Sequence, residues 1–213
     1  MPKYEYTLIK SDRKTYTIKV TEDNKIIVRA PQRASLRDVE NVIAGKRGWI
    51  ERAMAFNSAN NLARQSVRDY RAAYVGGDLV PVIKSTRNFI DGAGVHVTGE
   101  RGFKSAYVGT LGGYFTEKFR EVERACNLKA ASVSFRSYTG RWGCCDGNCN
   151  IIFNFKLLML PQSVQKYVMV HELCHTIHHD HSKEFWQLVS RFMPDWKRYR
   201  AELKKYTFLI RLY

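Results

Sequence analysis

The chain has 213 residues, of which 45% are hydrophobic and 26% are charged, with 14 Gly and 5 Pro. The hydrophobic content excludes an intrinsically disordered chain, and the low Gly and Pro counts exclude a collagen-like or linker protein. The net charge of +15 suggests polyanionic or acidic partners, although a merely basic surface explains it equally well.

No run of the sequence approaches the ~20 apolar residues that span a bilayer, and its start lacks the apolar core of a secretory signal. The chain has 5 Cys. An odd number is typical of reduced thiols rather than of a disulfide framework. We therefore expect a cytoplasmic protein with free thiols and no membrane association.

The pattern of the N-terminal half predicts strands, then helices, then more strands. Alternating apolar residues over 4–8, 16–20 and 26–28 predict a three-stranded β-meander. Ser35 is a predicted N-cap, and two helices are expected over about 35–44 and 46–63. Residues 65–110 are rich in β-formers and glycine, which indicates a second small set of strands.

The C-terminal half begins with a predicted helix over residues 113–128. Its other predicted elements are strands at 130–135 and 151–155, a turn-rich segment at 138–149, a helix from Pro161 to about 178, and a helix from Ser182 to about 204 that Pro194 kinks or splits. The sequence thus predicts an α+β protein with two domains. Residues 1–110 hold the meander, the first helices and the second strand set, and residues 111–213 form a second domain that holds the histidine-rich segment.

One motif points to metal chemistry. His171 and His175 stand four residues apart in a predicted helix, and Glu172 directly follows the first histidine. Residues i and i+4 share a helix face, so both imidazoles can reach one Zn²⁺ ion at ~2.0–2.1 Å. Glu172 then lies beside the metal and can act as general base on water. A solvated, His-rich helix end is the alternative explanation.

A catalytic zinc usually has three protein ligands, and the candidates for the third are His178, His179 and His181. His178 lies one turn beyond His175 on the same face, where a third ligand would strain tetrahedral geometry, and His179 faces partly away. His181 lies in a predicted tight turn between two helices, where its ring can fold back over the metal. We therefore expect His171, His175 and His181 to bind Zn²⁺, with no organic cofactor.

The loop between the two C-terminal strands offers a second group of candidates. Arg141 can stabilise a developing oxyanion or bind a substrate phosphate, and a structural role beside Trp142 is equally well supported. Cys144, Cys145 and Cys149 are expected to be free thiols, because these clustered cysteines lack an obvious fourth ligand for a second metal site.

Several segments resemble the YgjP-like, or WLM-type, zinc metallopeptidases, which are related to the SprT-like proteases. The resemblance is carried, within about residues 130–200, by Arg141-Trp142-Gly143, by residues 150–155, 157–161 and 167–175, and by residues 181–186. It implies a zincin-like core of helices on a small sheet. It also implies zinc bound by His171, His175 and His181, with Glu172 as catalytic base. Cys144 departs from the family pattern, in which a serine usually follows Arg-Trp-Gly.

Three functions fit these residues. The first is a zinc-dependent metallopeptidase, in which the metal polarises the scissile carbonyl and Glu172 activates water. The second is a metal-dependent nucleoside triphosphate pyrophosphatase, an activity that the resemblance also implies and that the basic charge favours. The third is a DNA-associated protease of SprT-like type, whose basic surface binds nucleic acid non-specifically. We expect a zinc hydrolase acting on a peptide or nucleotide substrate, and a peptidase before a phosphohydrolase.

Overall fold

The computed structural model describes residues 4–21 and 23–212, leaving aside the side chains of residues 59 and 60. Helices and small sheets alternate along the chain, so the expected α+β class is confirmed. The chain divides into two compact units, Met1–Gln65 and Ser66–Tyr213. The sequence pattern instead predicts a division at residue 110. Within the described residues, every helix is too short or too polar to span a bilayer.

The strands between residues 66 and 110 belong to the second unit because they share its core. Val95 and Val97 are buried in the same apolar cluster as Phe103 and Tyr107 of the helix that follows them. Sequence patterning locates a strand but does not reveal what the strand packs against. The boundary after Gln65 therefore depends on tertiary contacts, which the sequence pattern does not show.

The first unit begins with a three-stranded sheet followed by helices. The elements are β1 (Tyr6–Ser11), β2 (Thr17–Val20), β3 (Ile26–Pro31), α1 (Leu36–Gly45) and α2 (Arg47–Arg68). The strand order is β1-β3-β2, with β1 parallel and β2 antiparallel to β3, so this sheet is not the expected meander. Ile26, Val28 and Ala30 of β3 are fully buried, which explains why this most apolar strand takes the centre.

Ser35 caps α1, as the sequence predicts. Its hydroxyl accepts a hydrogen bond from the backbone N–H of Asp38, and the Asp38 carboxylate accepts one from the backbone N–H of Ser35. This capping box satisfies N–H groups that the first helical turn leaves free. Val39 and Ile43 of α1 then pack with Ile50 of α2 in the core of this unit.

The second unit begins with four strands and a long helix. These are β4 (Ala72–Val75), β5 (Asp78–Lys84), β6 (Phe89–Asp91), β7 (Gly94–Val97) and α3 (Gly102–Cys126), and the sheet order is β4-β5-β7-β6. Helix α3 begins at Gly102 rather than at residue 113. Phe103, Ala106 and Tyr107 are fully buried at helical spacing. Their packing outweighs the low helix propensity of the glycines that follow them.

The remaining elements surround the candidate site. They are β8 (Ser132–Arg136), β9 (Gly143–Cys145), β10 (Asn150–Asn154), α4 (Gln162–Cys174), α5 (Lys183–Phe192) and α6 (Trp196–Leu203), with 3-10 helices over Phe155–Met159 and Lys204–Arg211. Strand β10 lies in the middle of its sheet, parallel to β8 and antiparallel to β9. The sequence predicts a turn at β9, because a strand of three residues is too short to show alternating apolar and polar residues.

One helix end near the site differs from the sequence prediction, and the expected split at Pro194 is confirmed. Helix α4 ends at Cys174 instead of continuing to about residue 178. The last predicted helix is two helices, α5 and α6, separated by a break that contains Pro194, which lacks the N–H that a continuing helix requires. Ser182 caps α5 as expected, since its hydroxyl accepts a hydrogen bond from the N–H of Phe185 at 3.3 Å.

Candidate metal centre

Two histidines of the centre come from the end of α4. His171 and His175 lie one turn apart, and the helix is buried along most of its length. In the tight turn that follows, the N–H groups of Ile177 and His178 both donate to the carbonyl oxygen of Cys174. This early helix end allows the chain to reverse direction before α5.

The reversal brings His181 back to the two helix histidines. One ring nitrogen from each of His171, His175 and His181 lies within 4.8 Å of the others. The Nε2 atoms of His171 and His181 are 3.1 Å apart, close to the separation of about 3.3 Å between two ligands of one tetrahedral zinc. His178, a candidate ligand from the sequence, contributes its backbone carbonyl to the centre instead.

The protonation of these rings suits metal binding. Nδ1 of His175 lies 2.8 Å from the carbonyl oxygen of His178. The carbonyl can only accept, so Nδ1 donates and Nε2 keeps its lone pair. Burial lowers the pKa of His171 to about 3, with smaller effects from His175, His181 and Arg200, and burial also lowers the pKa of His175. Neutral imidazoles are the form that binds a metal.

One polar atom of the centre lacks a hydrogen-bond partner. Nδ1 of His171 is buried without a donor or acceptor in contact. An unpaired buried nitrogen costs about 1–3 kcal/mol. A metal bound at Nε2 would leave this Nδ1 unpaired as well, so the feature that fits a zinc site is the 3.1 Å distance between the Nε2 atoms of His171 and His181.

Aromatic side chains of α5 hold the histidine rings in place. The ring of Phe185 is fully buried and stacks on His175 with centroids 4.4 Å apart. Trp186 lies against His181 with centroids 5.7 Å apart. These aromatic residues form a packing face of α5, and the histidines are part of what they pack against.

Glu172 is buried between α4 and β9. Burial raises its pKa to about 8, and the charge of Arg141 acts in the opposite direction. A β-carbon at Gly143 would lie 2.8 Å from Cγ of Glu172, so the strand backbone passes directly over this side chain. Gly143 belongs to a motif recognised in the sequence, but this role is not predicted from it, because nothing in the local sequence indicates that α4 approaches here.

The histidines and Glu172 open onto a cleft of about 550 Å³. The loop before β9 and β9 itself contribute Arg141, Trp142 and Gly143 to its lining, and the C-terminal segment contributes Arg200 and Lys204. Neither C-terminal cation is among the site residues predicted from the sequence. Their spacing of four residues would have placed them on one helix face, but it would not have placed that face in the cleft.

Arg141 has an exposed guanidinium group whose carbon lies 5.6 Å from the centre of the Tyr138 ring. The loop that carries it is anchored by Asn154, which is fully buried. The side-chain amide of Asn154 donates to the carbonyl oxygens of Tyr138 and Arg141, both at 2.9 Å. Asn154 therefore positions the loop, and its buried amide is satisfied by these two hydrogen bonds.

The cysteines do not form a metal site with the histidines. All 5 are free. Cys145 lines the cleft, and burial raises the pKa of its thiol to about 12, which disfavours the thiolate. Cys149 contacts the carbonyl oxygen of Thr176 at 3.9 Å. Among the described residues, the group of donors close enough for one metal ion consists of the three histidines.

Comparison with known proteins agrees with the expected family. A family model described as "YgjP-like, metallopeptidase domain" matches residues 14–206. Among solved structures, the crystal structure of the metallopeptidase zymogen of Pyrococcus abyssi abylysin is similar at 18% identity and a TM-score of 0.40, over 43% of this chain and 92% of that chain. No curated protein shows a significant match. Because the family model spans most of the sequence, the chain belongs to the YgjP-like family and carries its metallopeptidase domain.

Proposed function

We propose that the chain is a zinc-dependent metallopeptidase in which His171, His175 and His181 hold the metal and Glu172 is the general base. The observation that carries this proposal is the convergence of three imidazole nitrogens within 4.8 Å, beside a buried carboxyl group. Three histidines that open onto a cleft are a donor set of catalytic zinc sites. The match to a metallopeptidase domain supports the reaction class.

Glu172 moves the proton in the proposed reaction. The chemistry that zinc supplies when bound is Lewis acidity, which polarises a carbonyl and lowers the pKa of a water molecule. Glu172 accepts a proton from the attacking water and donates it to the departing amine. Burial raises the pKa of Glu172 to about 8 even with the charge of Arg141 nearby, which suits holding the proton that it accepts. A cation held by the three histidines would favour the ionised form that is needed first.

Arg141 is proposed to stabilise the negative charge that develops on the scissile carbonyl oxygen. Arg141 lines the same cleft as Glu172, and its charge offsets part of the rise that burial causes in the pKa of Glu172. A guanidinium donates up to five N–H bonds, which suits an oxyanion. The buried amide of Asn154 holds the backbone of Arg141 in position for this role.

The proposal is tested with Glu172→Gln in the full chain, reconstituted with zinc. We expect about one zinc per chain in this variant, because the three ligands are intact. Cleavage of an unstructured protein substrate should fall at least ~100-fold, the usual contribution of a general base. The matched control is Glu184→Gln, which changes an exposed carboxylate in the first turn of α5. Undiminished cleavage by zinc-loaded Glu172→Gln would reject the proposed mechanism.

A nucleotide substrate is the second candidate, and the charges of the cleft favour it. The cleft is lined by three cations, Arg141, Arg200 and Lys204. Among the described residues that line it, the acidic one is Glu172. Such cations suit a polyphosphate. A panel of nucleoside triphosphates incubated with the same two variants tests it. Release of pyrophosphate that requires Glu172 would support this activity, and no release from any nucleotide would reject it.

Nucleic-acid binding is proposed on the net charge of +15. Counterion release makes such binding weaken steeply as salt increases. Fluorescence anisotropy with a labelled DNA duplex tests the proposal between low and physiological salt. Binding that is absent at low salt, or that does not change with salt, would reject it.

A further inference from the structure

Two cations from the C-terminal segment line the cleft beside the metal centre. Arg200 lies in the last turn of α6, and Lys204 follows four residues later as its C-cap. Residues at this spacing share a helix face, so both project from the same wall of the cleft. Among the described residues, neither has a carboxylate within ion-pair distance. Their charges are therefore free to meet a ligand.

A stack of two tryptophans holds Arg200 in place. Trp186 and Trp196 stack with ring centroids 4.2 Å apart and planes 18° apart. The indole N–H of Trp196 donates to the hydroxyl of Ser190 at 2.8 Å, which fixes the stack. The guanidinium carbon of Arg200 lies 5.0 Å from the centre of the Trp186 ring and 5.9 Å from that of Trp196. This contact restricts the side chain before any substrate binds.

Arg200 is exposed, so an N–H edge of its guanidinium stays available beside these rings. That edge matches the two oxygens of a carboxylate, with which it forms paired, charge-assisted hydrogen bonds. Trp186 also contacts His181 of the metal centre, with ring centroids 5.7 Å apart. An anion bound at Arg200 therefore lies within a few residues of a peptide bond held at the metal.

We infer that Arg200, supported by Lys204, forms a subsite for a substrate carboxylate close to the scissile bond. The inference rests on the proposed peptidase function and names its substrate class: peptides with a negative charge beside the cleavage point. The carboxylate comes either from an acidic side chain or from the end of the peptide chain. Both sources present the same group to Arg200, and the experiment below separates them.

Binding is measured first, so that the test does not depend on cleavage. The protein is the zinc-loaded full chain with Glu172→Gln. The probes are short fluorescent peptides that differ at one position and have no charged side chain elsewhere. That position holds Glu, Gln or Lys and is moved along the peptide, and each peptide is made with a free or an amidated C-terminus. We expect the best Glu peptide, or the free C-terminus, to bind about tenfold more tightly than its neutral counterpart.

Matched variants decide whether Arg200 causes this preference. Arg200→Gln should remove it, and Lys204→Gln should reduce it. The control is Arg198→Gln, which removes the same charge from an exposed position of α6 that does not line the cleft. The inference is overturned if neutral and acidic peptides bind equally, or if Arg198→Gln weakens the preference as much as Arg200→Gln does.

Cleavage by the otherwise native protein completes the test. Acidic peptides should be preferred mainly through a lower KM, with kcat little changed. Arg200→Glu should invert this preference, so that Lys peptides have the lower KM. If peptides are cleaved without regard to charge, the carboxylate subsite is wrong and the peptidase proposal stands. If Arg200 selects acidic peptides in the binding assay but no peptide is cleaved, the subsite stands and the peptidase proposal fails.

Discussion

Gly143 and Glu172 are in direct contact across the candidate site. A β-carbon at position 143 would lie 2.8 Å from Cγ and 2.9 Å from Oε1 of Glu172. Only glycine leaves room there for the carboxyl group. The obstructed atoms belong to a flexible side chain rather than to backbone, so a larger residue at 143 displaces the carboxyl group without breaking the strand.

Gly143→Ala is therefore expected to reduce peptidase activity at least ~100-fold while the melting temperature changes little, because only the proposed base has to move. Zinc content should stay at the wild-type level. The control is Gly147→Ala, since a β-carbon at 147 has nothing within 4 Å. Equal activity of the two variants would show that the position of Glu172 does not depend on Gly143.

His181 and His179 should differ sharply in zinc binding. Both are exposed residues of the α4–α5 region, but only His181 has its Nε2 near that of His171, at 3.1 Å. His181→Ala should lose zinc during dialysis against a mild chelator, because two histidines hold the ion much less tightly than three. His179→Ala should retain about one zinc per chain. Elemental analysis checks both, and zinc retention by His181→Ala would remove this residue from the proposed site.

Asn154→Asp should destabilise the fold and disturb Arg141. The amide nitrogen of Asn154 donates to two carbonyl oxygens in a fully buried position, and a carboxylate there would face both without a proton to offer. We expect the free energy of unfolding to fall by about 3 kcal/mol. The same substitution at the exposed Asn148 is the control. Urea denaturation measures both, and equal stability of the two variants would contradict the anchoring role.

Lys156 should make stability depend on pH. It is fully buried, its ammonium donates to the carbonyl oxygen of Ile210 at 2.7 Å, and burial lowers its pKa from 10.5 to about 8. Between these two values the unfolded chain binds the proton and the folded protein does not, so this residue makes the free energy of unfolding rise with pH. Below about pH 8 both states are charged and the cost of the buried charge is fully present.

Lys156→Met should remove this pH dependence. Relative to the variant, wild type should gain about 2–3 kcal/mol of stability between pH 8 and 10.5. Chemical denaturation at a series of pH values measures the difference. The control is Lys166→Met at an exposed position of α4. A constant difference between wild type and Lys156→Met across this range would show that Lys156 is not the cause.

Local spacing accounts for what could be predicted about the site. His171, Glu172 and His175 are placed relative to one another by the geometry of a single helix, which sequence spacing contains. The prediction that His181 returns to them needed only a short turn, and the structure brings these residues together. The capping residues Ser35 and Ser182 could also be predicted, because a cap acts on the helical turn next to it.

The sequence by itself determined the α+β class, the family resemblance and the metal-binding motif. Tertiary structure alone decided the strand order β1-β3-β2, the division at residue 65, the contact of Gly143 with Glu172, and the place of Arg200 in the cleft. The class, the resemblance and the motif depend on residues that are close together in the sequence. The features that tertiary structure decided depend on which distant segments bury their apolar surfaces together, and hydrophobic burial is non-directional, so the local pattern does not specify the partner.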